Sequence, residues 1–305
     1  MGRVAFVFPG QGAQYPGMGK ELAEVSPAAA EVFRAVEALR PGTVQQCFSG
    51  TAEELQQTEV TQPCMVAVEL AAAAALDAAG IHADMTAGFS LGELAALSYA
   101  HIVDISTSFR LVCRRGQLMQ RAAEDHDTAM AAVVKLGNET VEGICKQFQN
   151  MYPVNYNCPG QVTVAGLKSE MPAFSAAVKA AGGRALPLKV SGGFHSPFMA
   201  EAAERFGKSL ERVTFSAPAI PLYSNVTGLP YGEDFHELLQ KQICSPVRWE
   251  TIVRNMISAG ADTFVEVGPG NVLQGLIRKI NPNVRTFGVS DRETLNTVIQ
   301  EVAAC

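Results

Sequence analysis

Hydrophobic and polar positions follow each other along the chain in blocks that predict strands alternating with helices. Residues 4–8 form a short apolar run that stops at a Pro-Gly pair, as expected of a buried strand. Residues 65–79 are apolar and alanine-rich on nearly all sides and end at a glycine, which predicts a buried helix. Residues 263–267 are again strand-like and precede a helical pattern over 272–280. This alternation predicts a mostly parallel sheet covered by helices on both faces.

The middle of the chain has a different pattern. Strand-like and helical stretches occur there in the order strand, helix, strand, strand, helix, strand, at residues 129–134, 138–148, 154–156, 162–164, 169–181 and 184–190. That order is typical of a ferredoxin-like split unit. We therefore expect an α/β protein in two parts. Residues 1–128 and 191–305 would form a discontinuous α/β catalytic domain, and residues 129–190 an inserted ferredoxin-like sub-domain.

Composition and charge narrow the classes of function. The 305 residues are 48% hydrophobic and 18% charged, which is enough apolar material for a large core. The net charge of −6 comes without a basic stripe, so we expect no nucleic-acid partner. The longest uninterrupted apolar run, 70–76, lies between Glu69 and Asp77. We therefore expect no membrane span, which needs about 20 residues. The N-terminal pattern predicts no signal peptide, and we expect a cytoplasmic protein.

The cysteines are odd in number, scattered and never spaced CxxC, which predicts free thiols and neither a disulfide framework nor a zinc site. They are Cys47, Cys64, Cys113, Cys145, Cys158, Cys244 and Cys305. Two N-x-T triplets, at Asn138 and Asn225, are interpreted as chance matches in a protein without a secretion signal.

The segment Gly88-Phe-Ser90-Leu-Gly92 matches G-x-S-x-G between a short apolar segment and a helical one. A nucleophile elbow needs this composition, because the serine occupies a strained turn and small neighbours avoid clashes. The following helix N-terminus would favour negative charge on a nearby oxygen. The alternative is a glycine-rich turn with a capping serine.

A serine nucleophile needs a base, and His195 is the best of the five histidines. It follows two glycines after the last strand of the middle unit, whereas the other four histidines are interpreted as solvated or capping residues. The alternative is a helix-start histidine that packs on neighbouring phenylalanines. The partner of its second ring nitrogen stays open: Glu266, Asp262 or a backbone carbonyl would serve.

Arg115 lies on the more apolar face of a predicted helix over 107–124, with leucine, valine and methionine three and four positions away. A guanidinium there is costly unless it meets an anion. It would bind a substrate carboxylate, pair with a protein carboxylate or extend to water. The glycine-rich start at Gly10 lacks the third glycine of a dinucleotide motif, because Tyr15 stands there, and there is no P-loop. We predict instead that the Gln11 N–H faces the Ser90 oxyanion.

Taken together, these residues resemble the malonyl-CoA:acyl carrier protein transacylase family. The motifs that carry the resemblance occur in order over nearly the whole chain: Phe8-Pro-Gly-Gln-Gly12, Thr61-Gln-Pro63, Gly88-Phe-Ser-Leu-Gly-Glu93, Arg115-Gly-Gln-Leu-Met119, Asn155-Tyr-Asn-Cys-Pro-Gly-Gln161, Gly193-Phe-His195, Pro246-Val-Arg-Trp249 and Glu266-Val-Gly-Pro-Gly270. The resemblance implies a hydrolase-like α/β fold with a ferredoxin-like insert. It also implies malonyl-CoA and acyl carrier protein as partners, no metal or cofactor, and a monomer.

The resemblance also implies roles for individual residues. Ser90 would be the acylated nucleophile and His195 its base, with Arg115 binding the malonyl carboxylate. The N–H groups of Gln11 and Leu91 would form the oxyanion hole. The backbone carbonyl that orients the histidine would fall at Arg248. The remaining family positions that line the substrate cleft are Gln62, Met119, Asn155, Asn157 and Phe194.

One position departs from the family pattern: Phe89 stands where the family usually has histidine, which puts any tuning role of that histidine in doubt. Phe194 matches the malonyl-type enzymes, because a phenyl ring leaves little room for a branching methyl. Two other functions share these features, a serine hydrolase or thioesterase acting on acyl-CoA and a non-catalytic docking protein. A basic patch for an acidic carrier protein is predicted at Lys168, Lys179, Arg184 and Lys189, with ordinary solvated surface as the alternative.

Overall fold

The computed structural model describes residues 2–303 and builds them into two sheets surrounded by helices. The strands are β1 (Arg3–Phe8), β2 (Met85–Gly88), β3 (Thr128–Val134), β4 (Met151–Cys158), β5 (Gln161–Leu167), β6 (Arg184–Pro187), β7 (Leu222–Tyr223), β8 (Ala261–Val267) and β9 (Arg285–Val289). The helices are α1 (Lys20–Val25), α2 (Pro27–Leu39), α3 (Thr43–Ser49), α4 (Thr58–Ala78), α5 (Gly92–Tyr99), α6 (Ile105–Glu124), α7 (Asn138–Cys145), α8 (Met171–Ala180), α9 (Ala200–Leu210), α10 (Phe235–Gln242), α11 (Trp249–Ser258), α12 (Val272–Ile280) and α13 (Arg292–Ala303).

The larger sheet is parallel throughout and has the strand order β7-β2-β1-β8-β9. Its central strand β1 is buried on both faces, as the uninterrupted apolar run predicts. Phe6 and Phe8 pack into the core that contains α2, α4 and α6, whereas Ala5 and Val7 pack toward α11 and α12. Because β1 and β2 are adjacent and parallel, the loops after both strands meet at the same edge of the sheet.

The smaller sheet is antiparallel and has the order β4-β5-β3-β6, with α7 and α8 packed on one face. This is the arrangement of a ferredoxin-like unit. The predicted fold class, a mostly parallel sheet with an added ferredoxin-like α+β unit, is confirmed. The last strand is shorter than predicted and ends at Pro187, and residues 188–192 continue as irregular backbone toward His195.

Two helix boundaries differ from the sequence prediction. The helical spacing of residues 18–39 predicts one helix, but the structure divides it at Ser26. The Ser26 side chain accepts a hydrogen bond from the Ala29 N–H and caps α2, with Pro27 at its first position. Helix α4 begins at Thr58, seven residues earlier than predicted, and contains Pro63. A proline favours a helix boundary, but Pro63 is the sixth residue of α4 and removes one intrahelical hydrogen bond, a cost that the burial of most of this helix offsets.

The expectation that no segment is long enough to span a membrane is wrong, because one helix of the described chain has the length and composition of a span. Helix α4 has 21 residues, and its most apolar 18 residues have a mean hydropathy of 1.3, which by length and composition suffices for a span. Uninterrupted apolar runs do not indicate this helix, because Glu69 divides it. Its most apolar stretch is 89% buried inside the protein, so α4 is a core helix. The six cysteines within residues 2–303 are free thiols, as predicted, and Cys305 lies outside the described residues.

Candidate active site

Ser90 occupies the sharp turn between β2 and α5 and has a backbone φ of +52°. A non-glycine residue adopts this conformation at a cost, and the flanking glycines make it feasible. A Cβ atom on Gly88 would lie 1.9 Å from the backbone of Gly92, and one on Gly92 would lie 2.2 Å from the Phe8 carbonyl oxygen. The turn therefore has the packing of a nucleophile elbow.

His195 lies beside this serine. The Ser90 hydroxyl donates to His195 Nε2 at 2.6 Å, and His195 Nδ1 donates to the backbone carbonyl of Gln242 at 2.8 Å. This second contact fixes the tautomer in which Nε2 is free to accept a proton. The geometry is that of a nucleophile and its general base, oriented by a main-chain acceptor.

The sequence prediction placed that acceptor at Arg248, and the structure shows that it is Gln242 instead. The Arg248 carbonyl precedes α11 and accepts the first helical hydrogen bond, from the Ile252 N–H. Gln242 is the last residue of α10, where carbonyls lack partners within the helix and are free to accept from another side chain. The acidic candidates lie elsewhere: Glu266 accepts from two N–H groups of α12, and Asp262 accepts from the Gly2 N–H.

Burial sets the protonation state of the base. His195 is 3% exposed, and this burial, together with the charge of Arg115, lowers its pKa to about 4. The Gln242 carbonyl opposes that shift but does not overcome it. The imidazole is therefore neutral at pH 7 and able to accept the Ser90 proton.

Arg115 is fully buried and points to the same serine. Its Nη2 donates to Ser90 Oγ at 3.2 Å and to Gln242 Oε1 at 2.9 Å, and its Nε has no partner within residues 2–303. No carboxylate of the described residues forms an ion pair with it. Burial lowers the pKa of the guanidinium to about 10, while Glu93 opposes this shift. A buried cation without a carboxylate partner is a site for an anionic group.

A small cavity of about 90 Å³ lies in front of Ser90. Nine of the predicted site residues line it, together with Phe89 and three residues that the sequence did not indicate, Met130, Leu188 and Val190. The lining residues are Gln11, Gln62, Phe89, Ser90, Leu91, Arg115, Met119, Met130, Asn155, Leu188, Val190, Phe194 and His195. Gln62 Oε1 and Asn155 Oδ1 are buried without a partner in the described chain. Asn157 is not among the lining residues, because it is buried and donates to Thr163 Oγ1 at 3.2 Å within the small sheet.

The two predicted oxyanion-hole donors lie on either side of the elbow. Leu91 directly precedes α5, and Gln11 follows β1. Within the described chain neither backbone N–H donates to a protein acceptor. The Gln11 side chain donates to Thr58 Oγ1 at 3.3 Å, and Thr58 in turn contacts Ser191 Oγ at 3.0 Å, which anchors this loop. Phe89 lines the cavity and packs edge-on against Trp249, with ring centroids 5.5 Å apart.

Two residues that hold the site together were missed. Gln242 contacts Ser90, His195 and Arg115 through its side chain or backbone. Asn225, noted earlier only as part of an N-x-T triplet, accepts from the Ser90 N–H at 2.6 Å and donates to the Gly88 carbonyl at 2.6 Å. Asn225 is fully buried and follows β7, the strand next to β2. The sequence signal for Asn225 is a strand-like stretch at residues 222–224 that ends directly before it.

Comparison with known proteins agrees with this geometry. Residues 5–300 match the model of the acyl transferase domain family. The chain is 38% identical over 308 aligned residues to malonyl CoA-acyl carrier protein transacylase of Bacillus subtilis (strain 168), covering 98% of this chain and 97% of that protein.

Two solved structures are similar over nearly the whole chain. The malonyl CoA-acyl carrier protein transacylase of Clostridium perfringens has a TM-score of 0.96 at 33% identity and covers 99% of this chain and 98% of that one. A malonyl-transacylase in complex with a type II PKS acyl-carrier protein has a TM-score of 0.94 at 35% identity, with 98% and 99% covered. A serine elbow, a neutral buried histidine and a buried arginine thus occur on a fold shared with these enzymes, and the chain belongs to the malonyl CoA-acyl carrier protein transacylase family of acyl transferases.

Proposed function

We propose that this chain transfers the malonyl group of malonyl-CoA to the pantetheine thiol of acyl carrier protein, through a malonyl-Ser90 intermediate. The observation that carries the proposal is the buried Arg115 guanidinium, 3.2 Å from Ser90 Oγ and without an ion-pair partner in the described chain. An acyl group attached to Ser90 would bring a terminal carboxylate toward this cation. The names of the relatives support the same substrate and carrier.

In the first half-reaction, Ser90 Oγ attacks the thioester carbon while His195 Nε2 takes the hydroxyl proton. The negative charge moves to the carbonyl oxygen, where the N–H groups of Gln11 and Leu91 would donate. One such donor contributes on the order of 10²–10³ in rate. The tetrahedral intermediate breaks its C–S bond, CoA leaves as the thiol with the proton from His195, and malonyl stays on Ser90.

In the second half-reaction, the carrier thiol attacks the malonyl ester and His195 takes the thiol proton. The C–O bond to Ser90 breaks, and His195 returns the proton to the serine. The Arg115 guanidinium holds the carboxylate during both steps and so keeps the ester carbon placed for the thiol. No step requires a metal or a redox group.

The surroundings of the site suggest how the chain is organised. We propose that residues 1–128 and 191–305 act as the catalytic α/β domain and residues 129–190 as the sub-domain that closes the site. Met130 and Asn155 reach the cavity from the small sheet, which supports this division. We also propose that the protein acts as a cytoplasmic monomer, since the six cysteines of its described part are free thiols and the cavity before Ser90 is lined by residues of one chain.

The proposal is tested by incubating the protein with malonyl-CoA and measuring its intact mass. A malonyl adduct on Ser90 that disappears when carrier protein is added is the expected result, and Ser90→Ala is the control without an adduct. Absence of an adduct would refute the covalent mechanism. The alternative function, a serine hydrolase, has no use for Arg115. If the protein were such a hydrolase, Arg115→Ala would reduce acylation by malonyl-CoA and by acetyl-CoA equally. The proposal requires that the malonyl reaction falls selectively.

A further inference from the structure

Glu93 is a fully buried carboxylate that the proposed reaction does not use. It lies in the first turn of α5, and its Oε1 accepts from the Tyr231 hydroxyl at 2.7 Å and from the Asn225 N–H at 3.0 Å. Its Oε2 accepts from Gln242 Nε2 at 2.8 Å. Burying a carboxylate is costly, and these three donors offset only part of the cost, because burial still raises the pKa of Glu93 to about 7. Such an arrangement calls for a reason beyond packing.

That reason lies in the side-chain amide of Gln242. Its Nε2 donates to Glu93 Oε2 and to the Ser90 carbonyl, at 2.8 and 2.6 Å, while its Oε1 accepts from Arg115 Nη2 at 2.9 Å. The reversed amide would turn its oxygen toward two acceptors and its NH₂ group toward the guanidinium. Every contact would then become unfavourable. Glu93 therefore favours one orientation of this amide.

We infer that Glu93 is a positioning residue that acts through Gln242: it keeps Gln242 Oε1 facing Arg115, and so keeps the guanidinium beside Ser90 for acyl groups that carry a carboxylate. The inference rests on the proposed function for the identity of that acyl group. Glu93 contacts neither the Ser90 hydroxyl nor His195. Its effect is on which acyl group reacts, and the nucleophile itself is retained.

The variant Glu93→Gln separates this role from simple filling of space. Tyr231 and Asn225 both donate to Oε1, so the oxygen of the new amide has to stay there and its NH₂ group then faces Gln242 Nε2. Two donors then oppose each other. Gln242 cannot relieve this by reversing, because its oxygen would meet the Ser90 carbonyl and its NH₂ group would meet Arg115. Its side chain is displaced instead, and Arg115 loses its acceptor and moves away from Ser90.

The matched control is Tyr231→Phe. This change removes one hydrogen bond to Glu93 Oε1 and leaves the contact between Oε2 and Gln242 intact. A purely structural role of Glu93 would make the two variants alike, with lower stability and equal losses for all acyl groups. A positioning role would separate them in selectivity.

The experiment measures the rate of Ser90 acylation by malonyl-CoA and by acetyl-CoA, together with the labelling of Ser90 by a fluorophosphonate. Loss of a hydrogen bond to a charged group predicts that Glu93→Gln lowers the malonyl-to-acetyl ratio about tenfold or more, with a higher KM for malonyl-CoA. Labelling by the fluorophosphonate stays within about threefold of wild type, which shows an intact nucleophile. Tyr231→Phe keeps the ratio within about twofold.

An unchanged ratio in Glu93→Gln, or an equal fall in Tyr231→Phe, would overturn the inference. If Glu93→Gln does not fold, Gln242→Met replaces it, because this variant removes the same acceptor of Arg115. A malonyl-to-acetyl ratio that stays at the wild-type value in Gln242→Met would also overturn the inference. Failure of the proposed function is distinct, because the wild-type protein would then show no preference for malonyl-CoA.

Discussion

Replacing Arg115 with methionine should leave the fold as stable as before, or more stable, while malonyl transfer is lost. The guanidinium is fully buried, forms no ion pair with the described residues and leaves Nε without a partner among them. Glu93 attracts the guanidinium, but the two side chains are linked through Gln242 and form no ion pair. Methionine has a similar unbranched shape and fills the space of the arginine stem without a charge.

The size of the expected change in the free energy of unfolding follows from the pKa of Arg115. Burial lowers the pKa of Arg115 from 12.5 to about 10, so the charged form is less favourable in the folded protein by about 3 kcal/mol. This cost applies at every pH well below 10 and is therefore fully present at pH 7. Removing arginine also leaves Gln242 Oε1 without a donor, which costs about 1–3 kcal/mol. The net change in the free energy of unfolding lies between about zero and a gain of about 2 kcal/mol.

Urea unfolding at pH 7 measures this change, and acylation by malonyl-CoA and acetyl-CoA measures the function. We expect malonyl acylation to fall about 10²-fold and acetyl acylation to be kept. Arg114→Met is the control, because this neighbouring arginine is half-buried on the outer surface beside Arg205 and Arg212, and both readings should stay near wild type. A loss of more than about 2 kcal/mol in Arg115→Met would show that the guanidinium supports the fold, and the reasoning would be wrong.

Three further outcomes test other parts of the site. The pKa of His195 is lowered to about 4 from the ordinary 6.5. Between these two pH values the unfolded chain binds more protons than the folded chain, so the stability that His195 contributes is complete above pH 6.5 and is lost toward pH 4. The cost of His195→Ala in urea unfolding should therefore shrink by about 3 kcal/mol between pH 7.5 and pH 4, and a constant cost would contradict this. Gly88→Ala puts a Cβ 1.9 Å from the Gly92 backbone. It should destabilise the fold by about 1–3 kcal/mol and abolish the labelling of Ser90 by a fluorophosphonate, and retained labelling would disprove the elbow packing. Lys189 is exposed between two cavity-lining residues, Leu188 and Val190. Lys189→Glu should slow transfer to carrier protein about fivefold at low salt and leave acylation by malonyl-CoA unchanged, and equal effects on both steps would exclude a carrier contact.

The sequence was sufficient to predict Ser90, Arg115 and His195, because each carries a local signal. A G-x-S-x-G turn, an arginine on an apolar helix face and a histidine after two glycines are visible without knowledge of the rest of the chain. The order of strands and helices likewise predicted both sheets. These features depend on neighbours within a few residues, where periodicity and turn preferences are informative.

The acceptor for His195 could not be predicted in the same way. Every residue has a backbone carbonyl, so the side chain at that position has no signature, and the family motif pointed to Arg248 instead of Gln242. The helical pattern over residues 234–242 nevertheless predicts a helix that ends at Gln242, as the structure has it, and helix ends leave carbonyls unpaired. The unpaired carbonyls at this helix end make Gln242 a candidate acceptor from the sequence, six positions before Arg248.

The polar groups around Ser90 form one connected network, and this limits what single substitutions can show. Gln242 reaches the serine carbonyl, the histidine ring, the guanidinium and Glu93 at distances of 2.6–2.9 Å. Groups that share a partner in this way do not contribute independently, and their losses do not add. A double variant of Arg115 and Glu93 should therefore lose no more malonyl selectivity than Arg115→Met alone, because Glu93 acts on selectivity only through the guanidinium. Additive losses would mean that Glu93 reaches the acyl group by a second route.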